Sequence, residues 1–86
     1  MKKDKQKNIT PYENMTIDEM TALAEQGDKL VQNDIGICYL IGVGVEKDLQ
    51  KAIEWFTKSA KQGDKEARNN LNDLKHSLDY FNLRYF

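Results

Sequence analysis

Residues 24–33, with the sequence AEQGDKLVQN, recur 36 residues later as residues 60–69, with the sequence AKQGDKEARN. Six of the ten aligned positions are identical, and beyond them Ile35 aligns with Leu71. In each copy a glycine is placed to end one helix, and the aspartate after it is placed to cap the next. A period in the thirties built from two helices is typical of an α-solenoid, in which successive helix pairs stack on one another.

The segment between the two copies predicts two helices and a loop. The first helix runs from about Lys29 to Ile41, and the second from about Leu49 to Gln62. The loop, residues 42–48, contains two glycines and ends in an aspartate suited to an N-cap. The apolar face of the first helix consists of Val31, Ile35, Cys38, Tyr39 and Gly42, and that of the second of Leu49, Ala52, Ile53, Phe56 and Ala60.

Gly36 lies in the middle of the first of these helices. A glycine there is about 1 kcal/mol less favourable than alanine, so its presence needs a packing reason. We expect a neighbouring helix to approach the backbone closely at this position.

The flanks extend the pattern in both directions. Residues 1–15 contain the single proline and no helical period, so we interpret them as a flexible lead-in to one domain of residues 16–86. Thr16 and Glu19 have the spacing of a capping box, which predicts a helix that ends at Gly27. A long amphipathic helix follows Asp64, with a heptad-spaced seam. The seam consists of Leu71, Leu74, Leu78, Phe81 and Tyr85.

Residues 31–63 resemble the Sel-one-like (Sel1-like) repeat family, which is related to the tetratricopeptide repeat. In the first helix and the loop, the matching positions are Val31, Ile35, Gly36, Tyr39, Gly42, Gly44, Val45 and Asp48. In the second helix they are Lys51, Ala52, Trp55, Lys58, Ser59, Ala60 and Gly63. The resemblance implies that Trp55 occupies a core position between the two helices.

The flanking units depart from the family pattern. After the complete repeat, Asn72 stands where the pattern has glycine, and Lys75 stands where it has tyrosine. Degenerate units are typical of the caps of a solenoid. We therefore predict an all-α fold, a short α/α solenoid of about four antiparallel helices, with one complete repeat between two degenerate half-repeats.

The resemblance implies a protein that binds other proteins, since members of the family act as adaptors or scaffolds and share no catalytic residues. The size of the chain suits one standard interface of roughly 800 Å² on each partner. We therefore expect a non-catalytic binder of one partner protein, either an adaptor or an inhibitor of the immunity type. The alternative is a self-associating structural unit that dimerises through its C-terminal helix.

Two groups of residues are candidates for the protein-binding surface. The first is the C-terminal aromatic group, because aromatic residues are strong contact residues at interfaces; it consists of Tyr80, Phe81, Tyr85 and Phe86, with Leu83 among them. An alternative role for Phe81 is to pack as part of the cap. The second group consists of polar positions expected to be exposed on the first helices, namely Lys29, Gln32, Asn33 and Arg68.

No motif in the sequence predicts catalysis, a cofactor or a metal. His76 is the single histidine and Cys38 the single cysteine, so the usual ligand sets for zinc are absent. Cys38 lies on an apolar face and is expected to be a small buried hydrophobic residue. The segment from Gly42 resembles the start of a dinucleotide-binding loop, but it follows a helix and has Lys47 at the third glycine position.

Charge and hydropathy limit the partners. The net charge is −1, and the first seven residues carry +3, so the remainder carries −1 − 3 = −4. A net acidic folded part argues against nucleic acid as the main partner. The sequence has no apolar stretch of membrane-spanning length and no secretory signal pattern, and its single cysteine excludes an internal disulfide. We therefore expect a cytoplasmic protein.

Overall fold

The computed structural model of this protein describes the backbone of residues 14–84 and the side chains of residues 14–77. Within residues 14–84 four helices follow one another. They are α1 (Ile17–Glu25), α2 (Lys29–Ile41), α3 (Leu49–Lys61) and α4 (Lys65–Arg84). The predicted all-α, short-solenoid fold is confirmed. The predicted lead-in lies almost wholly outside the described residues, so the division of the chain at residue 15 stays a prediction.

The polar residues predicted to start the helices do so. At α1 the capping box is complete, because the Thr16 hydroxyl accepts from the Glu19 amide and the Glu19 carboxylate accepts from the Thr16 amide at 2.8 Å. The carboxylates of Asp28, Asp48 and Asp64 accept amide hydrogens in the first turns of α2, α3 and α4. Each cap satisfies backbone donors that have no partner inside their own helix.

The tripeptide Gln-Gly-Asp occurs at residues 26–28 and 62–64, and both copies turn the chain in the same way. Gly27 and Gly63 have φ values of 104° and 91°, in the left-handed region that glycine adopts at low energetic cost. The turns between α1 and α2 and between α3 and α4 are therefore equivalent, as the internal repeat predicts.

Helix α2 lies at the centre of the fold. One hydrophobic cluster joins it to α1 through Ile17, Met20, Ala24, Ile35 and Cys38. A second cluster joins α3 to α4 through Ala52, Phe56, Ala67 and Leu74, with side chains of α2 against its edge. The predicted reason for Gly36 is confirmed, because a Cβ added there would lie 2.5 Å from two ring carbons of Phe56.

Helices α2 and α4 run side by side in the same direction. Near the start of α2, Asn33 hydrogen-bonds Glu66 and Asn70, and near its end Leu40 shares a groove with Asp73 and Ser77. Residues further along α2 contact residues further along α4, so the two helices are parallel. We call α2 and α4 the first helices of the solenoid, and α1 and α3 its second helices.

Candidate functional site

A set of hydrogen-bonded polar side chains, three of them buried, joins the helices near the start of α2, and we call it the amide junction. Gln32 and Asn33 are only 5% and 3% exposed. The expectation that they are exposed is therefore wrong. The remaining members of the junction come from α3, its C-cap and α4, and they are Ser59, Gln62, Glu66 and Asn70.

Every member of the amide junction bridges two helices or their ends. The Gln32 amide donates to the carbonyl of Ala24 at 2.9 Å and accepts from Gln62 at 2.9 Å. The Asn33 amide donates to the Glu66 carboxylate at 2.6 Å and accepts from Asn70 at 3.0 Å. A buried polar group is tolerated when its hydrogen-bonding capacity is met in this way. These side chains are used inside the molecule, which explains why a polar pattern does not mark a free surface here.

The Ser59 hydroxyl completes the amide junction by donating to the carbonyl of Lys29 at 2.7 Å. Ser59 is fully buried, so this bond fixes the start of α2 against the end of α3. Lys29 itself remains exposed, as does Arg68 on α4, which agrees with the expectation for these two candidates. Their role in binding stays a prediction.

A further stripe of α2 carries apolar residues that are exposed at both of its ends, and we call it the open face. Leu30 and Ile41 are each 61% exposed, whereas Ile37 between them is half-buried and packs against the cluster that joins α3 to α4. The three positions follow spacings of seven and four, so they form one stripe along the helix. Asp34 lies in the middle of this stripe and is its one charged residue.

The stripe extends most of the length of α2. From Leu30 to Ile41 the helix rises by about 16 Å at roughly 1.5 Å per residue. Beside it, a groove of about 220 Å³ lies between α2 and α4, lined by Leu40, Asn70, Asp73, Leu74 and Ser77. An exposed apolar stripe with a polar rim is a common feature of surfaces where another protein binds.

The sequence contained a signal for the open face that the predictions did not use. Leu30, Asp34, Ile37 and Ile41 step by four, three and four, the same spacing as the seam noted in α4. The interpretation of α2 relied on the other face, Val31 to Tyr39, where Ile35 and Cys38 are indeed fully buried. A helix with two apolar faces has more apolar surface than one hydrophobic core can cover. The second face of α2 was therefore the available sign of an exposed apolar stripe.

The predicted C-terminal aromatic group lies outside the part of the structure in which side chains are described. Tyr80 and Phe81 fall in α4, whose backbone extends to Arg84, while Tyr85 and Phe86 lie beyond the described residues. Their predicted role in binding is therefore untested and stays a prediction.

Trp55 differs from the expectation of a core position. It is half-buried and packs against the cluster that joins α1 and α2. The Lys58 ammonium lies 4.5 Å from the centre of its ring, within the range of a cation–π contact. The fully buried aromatic residue of α3 is its neighbour Phe56.

The single cysteine and the single histidine have different surroundings. Cys38 is fully buried, and burial, together with the negative charge of Asp34, raises the pKa of its thiol to about 11. A thiol with a raised pKa is a poor nucleophile at neutral pH. His76 is exposed on α4. Among the described residues no group of three or more His, Cys, Asp or Glu side chains could hold a metal ion.

None of the helices in the described region has both the length and the apolar character needed to cross a membrane.

Comparison with known proteins identifies the central part of the chain. Residues 30–64 match the family model of the Sel1 repeat, so the resemblance inferred from the sequence is confirmed. Sel1 repeats generally mediate contacts between proteins and are not typically catalytic. No solved structure gives a significant match to the chain.

Three curated relatives match part of the chain. Two are putative sel1-like repeat-containing proteins of Acanthamoeba polyphaga mimivirus, 45% identical over 42 residues and 40% identical over 65 residues. These alignments cover 49% and 67% of this chain but 7% and 12% of the relatives. The third, DAP3-binding cell death enhancer 1 of Rattus norvegicus, is 37% identical over 51 residues, which is 59% of this chain and 10% of that protein. The chain thus spans about a tenth of the length of the curated relatives it matches.

Proposed function

We propose, on the premise that residues 30–64 of this chain form a Sel1 repeat, that the protein is a non-catalytic module that binds one partner protein. The observation that carries the proposal is the open face of α2. Leu30 and Ile41 expose apolar surface on a helix whose other sides are packed against α1, α3 and α4. Apolar surface on a rigid scaffold gains free energy when a partner covers it.

The size of the described surface favours a single partner. A standard interface buries about 800 Å² on each side, and a domain of this length offers room for about one such patch. We therefore propose an adaptor or an inhibitor of the immunity type, with the predicted C-terminal aromatic group as a second contact region. The name of the rat relative states that it binds another protein, DAP3, which is in keeping with a binding role for the repeat.

We also propose that the protein works in the cytoplasm. In support of this, its single cysteine, Cys38, is a free and fully buried thiol, as is usual for proteins of a reducing compartment.

The test is a pull-down from the native host with three tagged versions of the chain. One is the unaltered protein, one carries Leu30→Ser with Ile41→Ser, and one carries Phe81→Ala with Tyr85→Ala and Phe86→Ala. We expect one stoichiometric partner with the unaltered protein and its loss with the α2 variant, while circular dichroism shows unchanged helix content.

A matched control keeps the test specific. Lys61 and Gln62 flank the exposed end of α3, and Lys61→Ser removes a surface side chain away from the open face. The control should retain the partner. A partner that all variants retain, or a dimer with no enriched partner, would reject the proposal; the dimer would favour the self-associating alternative.

A further inference from the structure

The groove between α2 and α4 is lined by both apolar and polar side chains. Its apolar lining consists of Leu74, which is buried, and Leu40, which is half-buried. Its polar lining consists of Asn70, Asp73 and Ser77, all on α4. The volume of about 220 Å³ is below the roughly 300–1,000 Å³ of pockets that hold small molecules. The groove therefore has room for one side chain of another protein.

The polar lining of the groove offers hydrogen-bond acceptors. Asp73 contributes a carboxylate, which only accepts, and Ser77 contributes a hydroxyl oxygen. The side-chain nitrogen of Asn70 donates to Asn33 at 3.0 Å, so the donor side of this amide is engaged in the amide junction. The carbonyl oxygen of the same amide is left to accept from a ligand. A side chain that enters this groove must therefore supply donors.

The charge of Asp73 is not balanced within the described part of the chain. Asp73 is exposed, and no side chain of residues 14–77 forms an ion pair or a hydrogen bond with its carboxylate. Helical side chains pair at spacings of three and four, and the residues at those positions around Asp73 are Asn69, Asn70, His76 and Ser77. None of them is a lysine or an arginine, so the carboxylate is available to a cation from outside.

Arginine matches both the apolar and the polar lining. Its guanidinium has five N–H donors and no acceptor, and it pairs with a carboxylate through two parallel hydrogen bonds. Its aliphatic stem covers apolar surface, such as that of Leu40 and Leu74, while its charged end stays in a polar environment. Lysine has a similar stem, but its compact ammonium does not form the two-bond pair. Arginine is also enriched among the residues that contribute most to binding at protein interfaces.

We infer that the groove between α2 and α4 takes an arginine side chain of the partner protein, with the guanidinium on Asp73 and the stem on Leu40 and Leu74. This inference rests on the proposed function, because it names a side chain through which the partner is held. Leu40 and Ile41 are consecutive residues of α2, so the groove adjoins the open face. One partner can contact both.

The test uses N-acetyl-arginine amide as the probe, because its capped ends leave the guanidinium as its single charge. It is titrated into the isotopically labelled full chain, and nuclear magnetic resonance follows the backbone amides. We expect saturable shifts centred on Asp73 and Ser77, with a dissociation constant on the order of 1 mM for so small a ligand. N-acetyl-citrulline amide has nearly the same shape without the charge, and it should bind roughly threefold more weakly, since an exposed ion pair contributes modestly.

Variants of the chain locate the effect at Asp73. Asp73→Asn keeps the size of the side chain and removes its charge, so the arginine probe should lose its advantage over the citrulline compound. Glu54→Gln removes an exposed carboxylate of α3 and is the matched control, in which the advantage should persist. Both positions are exposed, and circular dichroism should show unchanged helix content for both variants. In the pull-down, Asp73→Asn should lower the amount of captured partner.

Failure of this inference is distinguishable from failure of the proposed function. Equal binding of the two compounds, an advantage that persists in Asp73→Asn, or shifts spread evenly over the exposed carboxylates would each reject the arginine site. The proposed function would still stand where the pull-down partner is lost with Leu30→Ser and Ile41→Ser. A dimer in sedimentation that Arg68→Ala disrupts would show that a second copy supplies the arginine, which likewise rejects the inference.

Discussion

The two sides of α2 reverse the usual relation between polarity and burial. On one side, Gln32 and Asn33 are polar and buried in the amide junction; on the other, Leu30 and Ile41 are apolar and exposed. The polar side connects α2 to three other helices or their ends through specific hydrogen bonds, whereas the apolar side leaves Leu30 and Ile41 largely exposed. In a short solenoid the place of a residue in the stack, more than its polarity, therefore decides whether it is buried.

The largest loss of stability should come from truncating Phe56, the buried side chain of α3 that packs against α2. Phe56 is fully buried against Gly36, so Phe56→Ala leaves a cavity and should destabilise the protein by about 3–5 kcal/mol. Trp55→Ala should have a clearly smaller effect, because Trp55 is half-buried. Urea unfolding followed by circular dichroism measures both. Equal losses for the two variants would show that α3 does not pack as described.

The next largest loss of stability should come from truncating a polar side chain of the amide junction. Asn33→Ala removes two hydrogen bonds of the amide junction and should lower the free energy of unfolding by about 1–3 kcal/mol. Asn69 is the equivalent residue one repeat later and is exposed, so Asn69→Ala should change stability by less than about 0.5 kcal/mol. The same urea experiment compares the two. Matching effects would contradict the structural role of the junction.

How far the sequence predicts this structure can be seen in the same residues. The repeated Gln-Gly-Asp tripeptide, the capping box and Gly36 predicted the helix ends and the close approach of Phe56, because each rests on local backbone chemistry. Asn33 and Asn69 occupy equivalent positions of the internal repeat but differ in burial. The difference arises because α4 packs against α2 and covers Asn33. A local sequence pattern does not show which helix will be covered by another.

The candidate site was harder to predict for a related reason. Leu30 and Ile41 have the helical spacing of core residues, so the one sign in the sequence that they face solvent is that α2 has a second apolar face. Their exposure follows from the position of α2 as the earliest first helix of the described chain. Conversely, Gln32 is polar and looked like a surface residue, but it accepts a hydrogen bond from Gln62 across the helix pair.

A smaller effect is expected from the titration of Cys38. Burial raises the pKa of this thiol from 9.0 to about 11, so the folded protein keeps a proton that the unfolded chain loses above pH 9. Stability due to the neutral thiol is complete below pH 9 and should fall as the pH rises towards 11. Urea unfolding across this range measures the fall. Cys38→Ala should remove this component of the pH dependence, and an identical fall in that variant would assign it to other groups.

The smallest effect on stability should come from the open face. Leu30→Ser with Ile41→Ser should change the free energy of unfolding by less than about 1 kcal/mol, because both side chains are already largely exposed. A larger loss would show that the face is covered in the free protein, by a second copy or by another part of the chain. Sedimentation at two concentrations would separate those two cases.

The most direct test of the account is a photo-crosslinking measurement on the complex with the host partner. A benzoylphenylalanine replaces Ile41 on the open face in one protein and Glu54 on the exposed side of α3 in a matched control. We expect position 41 to crosslink to the partner and position 54 not to crosslink. Crosslinking from position 54 with none from position 41 would contradict the claim that the open face of α2 is the binding surface.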